Sequence, residues 1–103
     1  MGNNLLTEDE IANLSTIFSA LSNPTRLKIL FNVSETKRPL HIKAVAEILK
    51  VDYAAVYRHV EVLKRANFLE VYEVGRSRVL SIRRENLITQ FIQLVKETPD
   101  TIL

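Results

Sequence analysis

Tyr53, Ala54, Tyr57 and Arg58 lie within six residues of one another. If the chain from Tyr53 to Ala66 is helical, at about 100° per residue, all four share one side with Glu61, Lys64 and Arg65, while Val56, Val60 and Leu63 take the other. An arginine near the front of such a helix can donate two hydrogen bonds to guanine O6 and N7. Tyrosines beside it can touch thymine methyls or phosphate oxygens. A second basic group, Gly75-Arg76-Ser77-Arg78, falls where a hairpin must turn and would project both guanidinium groups beyond the strands. Phosphate or a narrow minor groove is their natural partner. The plainer alternatives are a tyrosine pair that shields the helix with Arg58 bound to Glu61, and tip charges that only keep a strand edge from pairing. Glu61 opposes simple phosphate binding. It can accept from cytosine N4, but an intrahelical pair with Arg65 is the stronger expectation.

Other chemistry is poorly provided for. The chain has no cysteine and two histidines, so thiolate metal sites, disulfides and cysteine nucleophiles are excluded. His59 projects near the buried margin of its helix and reads as a hydrogen-bonded core residue; His41 opens a helix and reads as solvent-facing. No cluster of serine, histidine and carboxylate, no phosphate-cradling glycine loop and no paired acids occur, so no enzyme, catalytic residue, cofactor or metal is expected. The net charge of +2 conceals a segregation: residues 37–84 carry a net +6 and the remainder a net −4. One part suits a polyanion and the other something else.

Those residues need elements to position them. With 103 residues, 47% hydrophobic, the expectation is one domain spanning 1–103, with no run near the roughly 18 apolar residues of a membrane span. Thr7-x-x-Glu10 is a capping box that starts a first helix, about 7–21, with Ile11, Leu14, Ile17, Phe18 and Leu21 along its stripe. Asn23-Pro24 caps a second helix that turns Leu27, Leu30, Phe31 and Val33 inward. Ser34 to Pro39 reads as a loop and Leu40 to Leu49 as a third helix. Lys50-Val51-Asp52 is then a turn, with Asp52 capping the fourth helix. From Phe68 the period changes to two, giving a two-stranded hairpin broken at Gly75. A last helix, about 85–97, carries Leu87, Ile88, Phe91, Ile92, Leu94 and Val95 and stops before Pro99. The fold class expected is mainly α with a small β-hairpin (α+β): four helices, the hairpin, then a last helix.

The order of elements resembles a winged helix-turn-helix, and the residues extend the likeness. Ala20-Leu21-Ser22-Asn23-Pro24-Thr25-Arg26-Leu27-Lys28-Ile29-Leu30 is similar to the signature of the ArsR family of prokaryotic transcriptional regulators. Ala46-Glu47, Val56-Tyr57-Arg58-His59-Val60, Val62-Leu63, Ala66-Asn67-Phe68-Leu69-Glu70 and Gly75-Arg76 continue it, so that it covers Ile17 to Ser81. The resemblance implies a homodimer built from the first and last helices and bound to an imperfect palindrome in double-stranded DNA. Carried over, the family's DNA-reading positions are Tyr53, Ala54, Tyr57 and Arg58. Tyr57 departs from the small serine common there. The family's metal sensors use a cysteine motif in the third helix or Asp and His ligands in the last; this chain has no cysteine, and residues 85–97 have no histidine.

Together these point to a homodimeric transcription regulator, a repressor, in the cytoplasm on the nucleoid. Lys43, Lys64, Arg76, Ser77 and Arg78 are the expected wing and backbone contacts. Leu14, Ile17, Phe18, Leu87, Phe91, Ile92 and Val95 are the expected dimer contacts, because one small monomer could not cover them all. Two alternatives belong to other classes: a winged module that binds protein, and a chromatin-like protein coating DNA without base discrimination. No effector is specified by the sequence.

Overall fold

The computed structural model describes residues 5–99, arranged as five helices and a small antiparallel sheet. Helix α1 (Glu8–Leu21) begins at the expected capping box: Thr7 Oγ1 accepts from the Glu10 amide, and the Glu10 carboxylate accepts from the Thr7 amide. Helix α2 (Pro24–Thr36) is capped by the Asn23 side chain, which accepts from the Arg26 amide at 3.0 Å. It outruns the boundary expected before Ser34. Its last turn has no strong apolar residue, but Thr36 Oγ1 donates to the Asn32 carbonyl at 2.8 Å and the helix ends in a left-handed Lys37. Ile29, missing from the expected inward set, is fully buried with Leu30. The reason is position: α2 is packed on several sides, so two adjacent apolar residues both find cover.

Leu40 and His41 correct a second expectation. They form strand β1 (Leu40–His41) instead of a first helical turn, and helix α3 (Ile42–Leu49) starts after them. His41 is exposed, as expected. Strand β1 pairs with β3 (Ser77–Ile82), which also pairs with β2 (Leu69–Val74), so the two-stranded hairpin becomes a sheet of order β1-β3-β2. Leu40 opposes Leu80, and Leu69 opposes Ile82.

Two helix ends shape the region of interest. After α3, Lys50 is left-handed at φ 56, and the Val51 amide reaches back to the Ala46 carbonyl at 3.0 Å. This Schellman closure turns the chain sharply into helix α4 (Tyr53–Arg65), whose first turn is capped by Asp52 accepting from the Ala54 amide. The same closure ends α4: Asn67 is left-handed at φ 67, and the Phe68 amide donates to the Leu63 carbonyl at 2.9 Å. Asparagine tolerates that conformation better than most residues, so the strand can start at once. Helix α5 (Glu85–Glu97) completes the order.

Val56, Val60 and Leu63 of α4 meet Ile29, Leu30, Ile42, Val45, Phe68, Leu69, Leu80 and Ile88 in one core cluster, all essentially inaccessible to solvent. The expected inner side of α4 is therefore its packed side, and the polar side is left outward. Among the described residues no helix is long and apolar enough to cross a membrane.

Candidate nucleic-acid interface

Helix α4 presents Tyr53, Ala54 and Arg58 to solvent at its front and Lys64 and Arg65 at its rear. Arg58 has no ion pair among the described residues. Its five N–H donors are thus not engaged by a carboxylate, including that of Glu61, the partner the plainer alternative required. The expected Glu61–Arg65 pair is absent as well. Glu61 is half-buried, whereas Arg65 is exposed, and desolvating a carboxylate for one flexible surface cation brings little gain. Lys43 is exposed on α3.

Tyr57 is half-buried and packs against the core cluster. The outer face of its ring is covered by Arg78 from the wing, whose guanidinium carbon lies 4.8 Å from the ring centroid. The cause lies in the turn. Val74 pairs with Ser77, so the hairpin closes through two residues, Gly75 and Arg76. Gly75 has φ +63 and Arg76 does not share a positive φ, the pattern of a type II′ turn with glycine in its first central position. Glu73 then sits directly across from Arg78, and its carboxylate is 3.7 Å from Arg78 Nε. The Tyr53 hydroxyl chiefly, then Tyr57 and Glu73, favour the charged form of this arginine and raise its pKa against the opposing effect of partial burial. Arg78 therefore does not project beyond the sheet as expected; it folds back onto α4, half-buried. Arg76 is exposed at the tip and Ser77 half-buried beside it.

His59 behaves as a structural residue. Its Nδ1 lies 3.2 Å from Arg26 Nη1, and since arginine only donates, Nδ1 accepts and the remaining ring proton is on Nε2. Burial chiefly, and then the charges of Arg26 and Arg58, lower its pKa below the ordinary value. Arg26 was not singled out from the sequence. It also donates through Nε to the Ala20 carbonyl at 2.6 Å and through Nη2 to the Ser19 carbonyl at 3.4 Å, joining the end of α1 to α4. On the outer sheet face Glu70 accepts from Tyr72 and Arg83, which hold its carboxyl below the usual range, the tyrosine contributing most. Nothing in the period of β2 distinguishes these residues from ordinary surface polar groups.

The seven expected dimer contacts divide into two groups. Leu14, Phe18, Ile92 and Val95 are exposed, whereas Ile17, Leu87 and Phe91 are half-buried and already pack against the core. Ile11 and Leu94, unassigned from the sequence, are exposed alongside them at 50% and 64%. An open apolar groove of about 730 Å³ runs between the end of α1, α2 and α5, with Phe18, Phe31, Phe91 and Ile92 in its walls. No group of three or more histidine or carboxylate side chains converges among the described residues.

A helix-turn-helix domain model matches residues 21–72, about half of the chain. No curated protein sequence matches it significantly. Several solved structures share its fold. NolR from Sinorhizobium fredii superposes with a TM-score of 0.74 at 20% identity, covering 90% of this chain and 94% of its own. HlyU from Vibrio cholerae gives a TM-score of 0.71 at 17% identity, covering 87% and 96%. A homodimeric winged helix-turn-helix DNA-binding domain from Mycobacterium bovis, described as a possible ArsR-family transcriptional regulator, gives 0.73 at 20% identity, covering 94% and 91%. At such identities the likeness establishes the fold, and it bears out the winged helix-turn-helix expected from the sequence.

Proposed function

The chain belongs to the helix-turn-helix domain family and has the winged fold of ArsR-family regulators, and from this we propose that it is a sequence-specific double-stranded-DNA-binding transcription regulator acting as a homodimeric repressor. The observation that carries the reading is the contiguity of two basic features: the wing abuts the front of α4 through Arg78 and Tyr57. Arg76 at the tip and Arg58 on the helix can therefore address backbone and groove in a single docking. Tyr53, Ala54, Tyr57 and Arg58 are the base-reading set, with Arg58 giving guanine its two hydrogen bonds. Arg76, Ser77, Lys43 and Lys64 contact backbone and set affinity without discriminating sequence.

Dimerisation uses the exposed apolar residues of α1 and α5, including Ile11 and Leu94 beyond the set expected from sequence. A two-fold axis there presents two α4 helices to inverted half-sites with centres about 34 Å apart, one turn of the duplex. The protein acts in the cytoplasm on the nucleoid, and we assign it no reaction and no cofactor. The M. bovis domain, described as homodimeric, supports the assembly.

Footprinting on the DNA around its own gene tests the reading. The protected region is expected to be an imperfect palindrome. Arg58→Ala should cost roughly 1–3 kcal/mol and relax preference at one base pair per half-site, whereas Arg76→Ala should weaken all sequences alike and shallow the salt slope by about 1. Protection without inverted symmetry, or unchanged specificity in Arg58→Ala, refutes it.

A further inference from the structure

Arg78 is the one tip cation whose charge is already engaged. Its guanidinium lies over the Tyr57 ring at 4.8 Å, well inside the roughly 6 Å range of cation–π attraction. Glu73 faces it across the strand pair at 3.7 Å. A cation already facing a carboxylate brings less net positive charge to a phosphate, so it would displace fewer of the cations condensed on the duplex. Arg76, one residue past Gly75, is exposed and has no ion pair among the described residues. The two arginines of the tip are therefore chemically unequal.

Tyr57 gains from this arrangement. It stands near the front of α4, a position open to a ligand, yet its inner side packs on the core and its outer face is closed by a planar cation. An aromatic ring held from both sides has few rotamers left, so its hydroxyl and free edge are presented in one direction. A ring fixed before binding carries less ordering cost and discriminates more sharply among base steps.

We propose that Arg78 is a positioning residue that braces the wing on the recognition helix by stacking over Tyr57, thereby setting base preference instead of neutralising a phosphate. The inference rests on the DNA-binding reading above. Lysine is the poorer substitute, because an ammonium lacks the planar fork that can lie over the ring and face Glu73 at the same time.

The test compares Arg78→Ala, Arg78→Lys, Arg76→Ala, Tyr57→Ala and the Tyr57→Ala/Arg78→Ala double variant. Binding is measured by fluorescence anisotropy over a salt series on the footprinted fragment and on the same fragment with scrambled half-sites. In Arg78→Ala and Arg78→Lys the discrimination between fragments should fall about two- to fivefold, the size of an exposed cation–π contact, with the salt slope unchanged. Arg76→Ala should do the reverse, and the double variant should be no worse than Tyr57→Ala. Arg78→Lys keeps the charge and most of the stem, so unfolding is not the cause if it matches Arg78→Ala. A slope shallower by about 1 in Arg78→Ala, restored in Arg78→Lys, overturns the proposal. In the DNA-free protein, the Tyr57 ring resonances should move in both Arg78 variants and stay in place in Arg76→Ala; unmoved resonances overturn the brace whatever the fragments do. Ring shifts in a protein whose wild type binds both fragments equally uphold the brace, overturn its role in base preference and refute the sequence-specific reading, whereas a wild type that binds neither fragment refutes DNA binding itself.

Discussion

Arg26→Ala removes three contacts that join α1, α2 and α4, and their unequal geometry sets the expected cost. The bond from Nε to the Ala20 carbonyl is 2.6 Å long and half-buried, a charge-assisted interaction of the class contributing about 1.5–3 kcal/mol. The contact to the Ser19 carbonyl, 3.4 Å and exposed, contributes little. The His59 nitrogen loses its donor but is only half-buried, so water can replace it at small cost. The sum is about 2–3 kcal/mol, or roughly 10–20 °C in Tm for a domain of this size. Urea unfolding at fixed protomer concentration measures it, since any dimerisation would otherwise shift the midpoint. The same variant has a second readout at His59. Burial first, then Arg26 and Arg58, depress that pKa, so removing Arg26 should let it rise toward, without reaching, the ordinary value near 6.5. A depressed histidine favours the native state fully above the unfolded pKa, and that contribution is lost as pH falls from there through the folded pKa. The pH window of that loss should narrow in Arg26→Ala. Arg26→Lys should behave like alanine, because one ammonium cannot span three acceptors. A loss below about 0.5 kcal/mol, the size of an ordinary surface substitution, together with an unmoved His59 titration, would refute the reasoning.

Phe18→Asp, placing charge on a side chain 59% exposed on α1, should convert a dimer to monomer in sedimentation without loss of helicity; a wild type that sediments as monomer at tens of micromolar, on the order of weak dimer dissociation constants, counts against the dimer. Gly75→Ala meets no steric obstacle, since nothing lies within 4 Å of an added Cβ; the φ of +63 alone should cost about 1–2 kcal/mol in thermal unfolding, and an unchanged melting curve would argue against the tight turn. Micromolar Zn²⁺ should leave the DNA complex intact, because a chain with no cysteine and two histidines lacks the usual donors for a four-coordinate site; reversible release abolished by replacing His41 or His59 would restore a metal-sensing reading.

Local chemistry made most of the fold legible. Thr7 with Glu10, Asn23 with Pro24, and Asp52 each satisfy amides of a starting helix, a requirement carried by a few adjacent residues. They mark three of the five helix starts. Strand β1 was not legible, because two residues are too few to display a period of two. Leu40 is extended through its pairing with Leu80, forty residues away. The last turn of α2 was hidden for the opposite reason: Ser34-Glu35-Thr36 has the composition of a loop, and the closure that ends the helix, a left-handed Lys37 whose amide donates to the Ser34 carbonyl, is a backbone feature that no residue type announces.

At the candidate interface, residue types were legible and pairings were not. Periodicity alone separated Val56, Val60 and Leu63 from Tyr53, Ala54 and Arg58, because one helix determines both sides. Whether Arg78 extends or folds back depends on a register. That register follows from Gly75 occupying the first central position of a two-residue turn instead of the middle of a longer tip. Moving the pairing by one residue would send Arg78 to the other face of the sheet, away from Tyr57 and toward solvent. The charge a duplex meets at the tip is thus decided by backbone geometry as much as by composition. Gly75-Arg76-Ser77-Arg78 contains two cations, but Glu73 and Tyr57 occupy one of them. On the proposed DNA-binding reading, such a wing would bring one guanidinium, unpaired among the described residues, to the phosphates and use its second arginine to hold the recognition helix.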